Sequence, residues 1–236
     1  GVMGADVADG VDGCVAAVRR QIGAGADWVK VYADYKPRSR MSAVVATRNI
    51  PTFSRNELEA MISTAHSYGI KIAAHAQSIE SFRTLLSLGV DSIEHSIANP
   101  IEQEAVDVLL SRWAEENKST TWVPTLSVYY KMKEFTDGKD PRIWDQASKM
   151  FRRVGMRNIA CGGDTGAFSH GENSLEMKLM VRLGADWKQV LRWGTLGGWE
   201  PGWAAALEGD LENDFEATLD RVRFVMKAGT VYKNGL

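Results

Sequence analysis

The chain of 236 residues has no His-x-His pair, no Cys-x-x-Cys pair and no long apolar run. Each absence removes a class of protein. Two cysteines, Cys14 and Cys161, cannot build a disulfide framework or a cysteine metal site, and they fit a reducing compartment. No stretch of about 18 apolar residues occurs, so the sequence predicts no membrane-spanning helix. Charge of one sign is lacking too: 28 Lys and Arg against 30 Asp and Glu leave a net charge of −2. That balance offers no electrostatic footprint for nucleic acid or an anionic membrane surface. The opening residues, Gly1-Val-Met-Gly-Ala-Asp-Val-Ala-Asp9, lack a basic region and an apolar core. They do not read as a signal peptide, and the cytoplasm is the expected location. The first residue is Gly rather than Met, and a helix-like segment follows at once. That start reads as part of a longer chain.

What is present is ordinary globular composition, 44% hydrophobic and 25% charged, enough for one sizeable core. The informative stretch is Ile72-Ala-Ala-His-Ala76, echoed by Ser92-Ile-Glu-His-Ser96. Each is a short apolar run ending in histidine. Between them, Ser78 to Gly89 reads as an amphipathic helix stopped by glycine. The order is therefore strand, histidine, helix, glycine, strand, histidine. In a parallel barrel, neighbouring strand ends lie side by side at the face where active sites form. Two imidazoles there can share one metal ion.

The remaining pattern extends this. Val11, Val15, Val18 and Ile22 have helical spacing. Asp27-Trp-Val-Lys-Val-Tyr32 alternates, with Trp28, Lys30 and Tyr32 on one face. Ser54-Arg-Asn-Glu57 is a capping box that opens a helix to Tyr68. A helix from Asn99 to Trp113, a strand 120–126 and a helix 141–154 follow. A strand 157–164 then ends in Asp164, and two more helices span 172–183 and 186–193. Residues 33–52 and 128–139 read as long loops, the second carrying Tyr129, Tyr130, Lys131 and Lys133. Gly197-Gly-Trp-Glu-Pro-Gly-Trp203 is turn chemistry, and 220–233 alternates as a β-hairpin. The reading counts five strand–helix units and a hairpin.

Lys30, His75, His95 and Asp164 each sit at or near the end of one strand. Taken singly, each has a plainer explanation. His75 reads equally as a hydrogen-bonded core histidine. Lys30 reads as a partner of Asp34, and Asp164 as a turn residue. His66 lies mid-helix and reads as structural. His170, in the loop after the last strand, is a candidate substrate contact, as is Tyr129. His and Asp suit a divalent first-row metal, whereas an ammonium has no lone pair to donate.

At these residues the chain resembles the amidohydrolase superfamily, in the group of imidazolonepropionase-like enzymes and Xaa-Pro dipeptidases. The matching pieces are Ala24-Gly-Ala-Asp-Trp-Val-Lys-Val, Ile72-Ala-Ala-His-Ala, Gly89-Val-Asp-Ser-Ile-Glu-His-Ser and Trp122-Val-Pro-Thr-Leu-Ser. Gly162-Gly-Asp-Thr-Gly, His170-Gly-Glu-Asn and Val225-Met-Lys-Ala-Gly-Thr-Val-Tyr complete the set. The resemblance implies an α/β fold: a partial (β/α)8 TIM barrel of about five βα units with a C-terminal β-hairpin from a small β-domain. Residues 1–199 would be barrel and 200–236 the remnant of the flanking β-domain. It implies a divalent metal, zinc, as one or two ions. Lys30 would be N-carboxylated and bridge the metals, with His75 and His95 as ligands. Asp164 would be a ligand of the first metal and the proton shuttle. Metal-activated water would then hydrolyse a C–N bond in a small-molecule amide, lactam or dipeptide. No nucleic-acid or membrane partner is implied, and a homo-oligomer stays open.

Two departures matter. The family's His-x-His pair is missing; the four histidines are His66, His75, His95 and His170. The stretch 196–206 looks too short for a further helix and strand entry. The alternative is a non-catalytic fragment or pseudoenzyme that lacks the first metal site. A phosphate-binding barrel enzyme is disfavoured, because Asp164 within the glycine-rich stretch 162–166 would repel an anion.

Overall fold

A parallel sheet orders the first half of the chain. In this computed structural model the described residues are 5–35, 49–97, 103–116, 119–135, 142–153, 158–166, 168–195, 203–227 and 230–235. The chain divides into two units. The first is Gly1–Val123 with Arg153–Asn158; the second is Pro124–Arg152 with Ile159–Leu236.

In the first unit, α1 (Gly10–Gly23) leads into β1 (Trp28–Tyr32), and α2 (Arg55–Ser67) into β4 (Lys71–His75). Then α3 (Ile79–Leu88) leads into β5 (Ser92–Glu94), and α4 (Gln103–Glu116) into β6 (Thr121–Val123). A short antiparallel pair, β2 (Asp34–Tyr35) with β3 (Ile50–Pro51), flanks residues 36–48. The sheet order is β1-β4-β5-β6, all parallel. In β1, Val29 and Val31 are buried at 4% and 7% exposure, while Trp28 and Lys30 are exposed, as the alternation predicts. Register then decides which residues share a face. Lys30 pairs with Ala73, Tyr32 with His75, and His75 with Glu94, so one face carries Lys30, Tyr32, His75 and Glu94.

Local sequence explains the helix ends. Ser54 and Glu57 form the predicted capping box: Ser54 N donates to Glu57 Oε2 at 2.7 Å and Glu57 N to Ser54 Oγ at 3.4 Å. Gly89 ends α3 at φ 70°, a left-handed conformation suited to glycine. Under the sheet, Phe82, Trp113 and Trp122 pack edge to face, with centroids 6.0 and 6.1 Å apart.

The second unit holds α5 (Leu126–Phe135), α6 (Arg142–Arg153), α7 (Ser174–Arg182), α8 (Trp187–Thr195) and α9 (Phe215–Asp220). It also holds an antiparallel sheet β7-β8-β9, from Trp203–Leu207, Val222–Lys227 and Thr230–Asn234.

Several expectations are corrected. The fifth strand, predicted over 157–164, contracts to a single bridged residue, Ile159, although Trp122 N still donates to Asn158 O at 2.9 Å. Gly162 and Gly163 add no side chain to pack, so the apolar run is too short to extend the ladder. The described residues show a four-stranded parallel sheet and no closed barrel. The supposed loop at 128–139 is, over its described part, the helix α5. Its polar Tyr and Lys residues hid a helical stripe, in which Leu126 and Tyr129 are buried one turn apart. The hairpin is present, but 203–207, read as a broken pattern, adds a third strand. Trp203-Ala-Ala-Ala-Leu207 has no alternation to betray it, and pairing with β8 makes the strand. Helix α9 was not foreseen. The loop residues 36–48, the turn 196–202 and the hairpin tip 228–229 lie outside the described residues.

Candidate metal and hydrolytic site

β4 delivers His75 at its last residue, and β5 delivers His95 one residue beyond its end. The His75 and His95 rings meet at 4.5 Å between centroids, with an interplanar angle of 65°. Both are buried, at 8% exposure each. His95 has φ 78°, a conformation that costs a non-glycine residue about 1–3 kcal/mol. Two hydrogen bonds hold it there. Its amide donates to Val123 O at 2.8 Å, and its carbonyl accepts from Trp122 Nε1 at 2.7 Å. The strained turn thus aims the ring across at His75.

The end of β1 is fixed by Asp34, which is fully buried. Its carboxylate accepts from Gln77 N at 3.0 Å, Ser78 N at 3.0 Å and Ser78 Oγ at 2.7 Å. One aspartate therefore ties the exit of β1 to the turn after β4, and so holds the strand carrying Lys30 against the strand carrying His75. Burial raises the Asp34 pKa, against the hydrogen bonds that lower it.

Electrostatics join Lys30 to the pair. Burial first, then the positive charge of Lys30, lowers the His75 pKa to about 4. His95 is lowered further by burial, His75 and Lys30. Both imidazoles are neutral near pH 7, the state that ligates metal. The His75 Nε2 atom is buried and has no hydrogen-bond partner. Buried polar atoms are normally satisfied, so an orphan nitrogen at this position fits a metal-donor role. Among the described residues, no group of three or more His, Cys, Asp or Glu is placed to hold a metal ion. Lys30 supplies no lone pair as an ammonium, which leaves two imidazoles in this unit.

The sequence offers Tyr35 as a loop aromatic compatible with a carboxylate-bearing substrate, and the structure sets it with Tyr32 as an aromatic wall beside His75. Tyr32 and Tyr35 lie 5.1 and 5.5 Å from its ring, centroid to centroid, and 5.6 Å from each other. The alternation of β1 put Tyr32 on the face of Lys30; only the register of β1 on β4 shows that this is the face of His75. A cavity of about 540 Å³ lies alongside β1 and is lined by Lys30, Tyr32, Tyr35, Trp28 and Phe53, among others. His75 and His95 are not part of its lining.

His66, read as structural, bonds through Nε2 to Asp91 Oδ2 at 2.7 Å. Asp91 also accepts from Ile72 N at 2.9 Å, so this pair ties α2 to the start of β4.

In the second unit, Asp164 is exposed and has φ 55°, the same kind of strain as His95. Thr125, just beyond β6, shares it at φ 50°. His95, Thr125 and Asp164 are the non-glycine residues at positive φ among the described residues. His170 is exposed in the turn before α7. Tyr129 is 2% exposed inside α5, a packing position rather than a loop tip. Sequence reasoning missed Glu176 on α7. It is buried at 1% exposure and accepts from Leu126 N, Ser127 N and Ser127 Oγ at 2.9, 2.7 and 2.7 Å.

No helix among the described residues is long and apolar enough to cross a membrane. No family model matches the chain. Curated proteins of Mycobacterium bovis and Mycobacterium tuberculosis, each named only as an uncharacterized protein, are 27% identical over 181 residues. That match takes in 72% of this chain and 45% of theirs, so the chain spans under half the length of these relatives. Among solved structures, a Xaa-Pro dipeptidase with methionine bound in its active site is 28% identical at a TM-score of 0.75. The likeness covers 97% of this chain and 60% of that one. The Aspergillus niger ochratoxinase is 23% identical at a TM-score of 0.73, covering 96% of this chain and 55% of its own. A prolidase complexed with N-methylphosphonate-L-proline is 21% identical at 0.72, covering 98% and 60%. With helices alternating along a parallel sheet, and with these neighbours, the chain has the fold of the amidohydrolase superfamily in its Xaa-Pro dipeptidase-like form.

Proposed function

We propose that this chain is part of a metal-dependent hydrolase of C–N bonds, acting on a small amide, lactam or dipeptide. The supporting observation is the orphaned Nε2 of His75, buried beside a second neutral imidazole and within the field of Lys30. In this reading the parallel sheet is a segment of a (β/α)8 barrel, and 200–236 belong to a flanking β-domain. His75 and His95 would hold a divalent ion, zinc, and Lys30 would join them once N-carboxylated. Carboxylation would turn Lys30, whose charge disfavours protonation of both histidines, into an anionic ligand. A bound zinc ion would polarise the substrate carbonyl and ease ionisation of water.

The chain's own residues do the rest. Asp164 would accept the proton released by the attacking water and return it to the departing amine. Tyr32 and Tyr35 form an aromatic wall beside His75 suited to a small apolar side chain or ring. One neighbouring structure holds methionine and another N-methylphosphonate-L-proline, which makes Met-Pro a sensible first substrate. A second ion would need donors beyond this chain's four histidines.

A second reading is a non-catalytic chain without the first metal site. It draws on the absence of a three-donor His/Cys/Asp/Glu group among the described residues. Zinc content and Met-Pro hydrolysis, measured on the same preparation in bicarbonate buffer, separate the two. Zinc together with turnover supports the hydrolase. Zinc without turnover supports the non-catalytic chain. Incubation with 13C-bicarbonate tests Lys30 separately: a carbamate resonance in the wild type, absent from Lys30→Arg, is the expected result.

A further inference from the structure

Glu176 is a buried carboxylate for which the site reading has no use. Among the described residues its acceptor atoms meet only neutral donors: the first two amides of α5 and the Ser127 hydroxyl. Taking a carboxylate out of water without a cation is unfavourable, even at a helix N-terminus that welcomes negative charge. A group held at such a penalty is a candidate for function.

What Glu176 holds is informative. The Ser127 hydroxyl lies against the backbone of the Asp164 turn. A Cβ added to Gly163 would stand 3.6 Å from Ser127 Oγ and 2.8 Å from Phe168 Cζ. On its Cβ side Gly163 therefore has the Ser127 hydroxyl at van der Waals reach and Phe168 too close to admit a side chain, immediately before the strained Asp164. Upstream in the same segment, the charge of Glu176 reaches Cys161 and raises its thiol pKa further after burial. One turn along α7 from Glu176, Met180 meets Cys161, with Sγ to Sδ at 3.5 Å. α7 therefore grips the 161–164 segment twice: at Cys161 through Met180, and at Gly163 through Glu176 and Ser127.

We propose that Glu176 is a positioning residue. Through Ser127 it fixes the 162–166 turn and so holds Asp164 in its left-handed conformation, with the carboxylate presented for proton transfer. A left-handed aspartate persists only where its surroundings over-determine it. The catalytic half of this statement rests on the hydrolase reading above; the positioning half does not.

The test uses the full chain with Glu176→Gln and Ser127→Ala. Glu176→Gln keeps the shape and loses acceptor capacity, and Ser127→Ala removes the hydroxyl that stands between Glu176 and Gly163 while leaving the two backbone amides on Glu176. Leu219→Ala in α9 is the control for general destabilisation. Amide hydrogen exchange read by mass spectrometry should rise about ten-fold in peptides covering 162–166 in both variants and not in the control. If Glu176→Gln fails to fold, Ser127→Ala carries the test. Where the wild type cleaves Met-Pro, kcat should fall about ten-fold or more, with KM and zinc content within about two-fold. Unchanged exchange at 162–166 in Ser127→Ala overturns the proposal whatever the activity. Raised exchange with unchanged kcat also overturns it, since Asp164 would then not need the turn. Raised exchange in a chain whose wild type is inactive sustains the positioning and overturns the hydrolase reading.

Discussion

His66 and His75 are both near strand β4, yet their ring nitrogens meet different fates. His66 Nε2 is bonded to Asp91, whereas His75 Nε2 is buried with no partner. Accordingly, His75→Ala and His95→Ala should each lower zinc content at least about ten-fold, the scale on which ligand shells act. His66→Ala should leave zinc unchanged and lower stability by about 1 kcal/mol, the usual worth of one hydrogen bond. Metal analysis and thermal melts of the three variants check this, and equal zinc loss in all three would refute the assignment. Glu176 gives a pH prediction. Burial raises its pKa from 4.5 to about 7, so the folded protein binds a proton more tightly than the unfolded chain does. This group's contribution is therefore most favourable below pH 4.5 and declines as pH rises to about 7. The full range is on the order of 3 kcal/mol. His75, lowered from 6.5 to about 4, acts in the opposite sense over much of the same range. The difference between wild type and Glu176→Gln in urea melts isolates the Glu176 part. It should fall with rising pH between those limits, and a flat difference would contradict it. At this scale the sequence was legible where a polar residue closes an apolar run, as with His75 and His95, or alternates within one, as Lys30 does in β1. Tyr35 and Glu176 gave no such sign. Tyr35 joins the site by a turn and Glu176 by packing on α5, and neither leaves a period in the sequence.

Helices with strong caps and the strands of the parallel sheet from β1 to β6 were legible, whereas β7 and the extent of the 157–164 strand were not. Ser54, Glu57 and Gly89 mark their helix ends by side-chain and backbone chemistry that operates within a few residues. Ser54→Ala should cost about 1 kcal/mol, read as a lower melting temperature with the fold retained. α5 was misread because its exposed face is rich in Tyr and Lys, residues equally common in loops. Its burial yields a prediction: Tyr129→Ala should cost about 3 kcal/mol, as truncation of a buried aromatic does. In an active preparation, Tyr129→Phe should leave KM unchanged if Tyr129 serves packing alone; a several-fold rise in KM would support Tyr129 as a substrate contact. β7 and the lone bridge at Ile159 depend on neighbours distant in sequence, so local pattern overstates one and overlooks the other.

Across the whole chain, the alternation of helices with the first four parallel strands was legible in the sequence, and solved structures of the dipeptidase-like fold match the chain at TM-scores of 0.72 to 0.75. Closure of a barrel was not, since four parallel strands are seen and the likeness spans 60% of the dipeptidase chain. The central claim is that Lys30, His75 and His95 form a metal centre. Zinc bound per chain, measured after dialysis in bicarbonate buffer for the wild type and His75→Ala in parallel, tests it most directly. The account predicts close to one zinc per wild-type chain and a loss of at least about ten-fold in the variant. No zinc in the wild type, or equal zinc in both proteins, would contradict it.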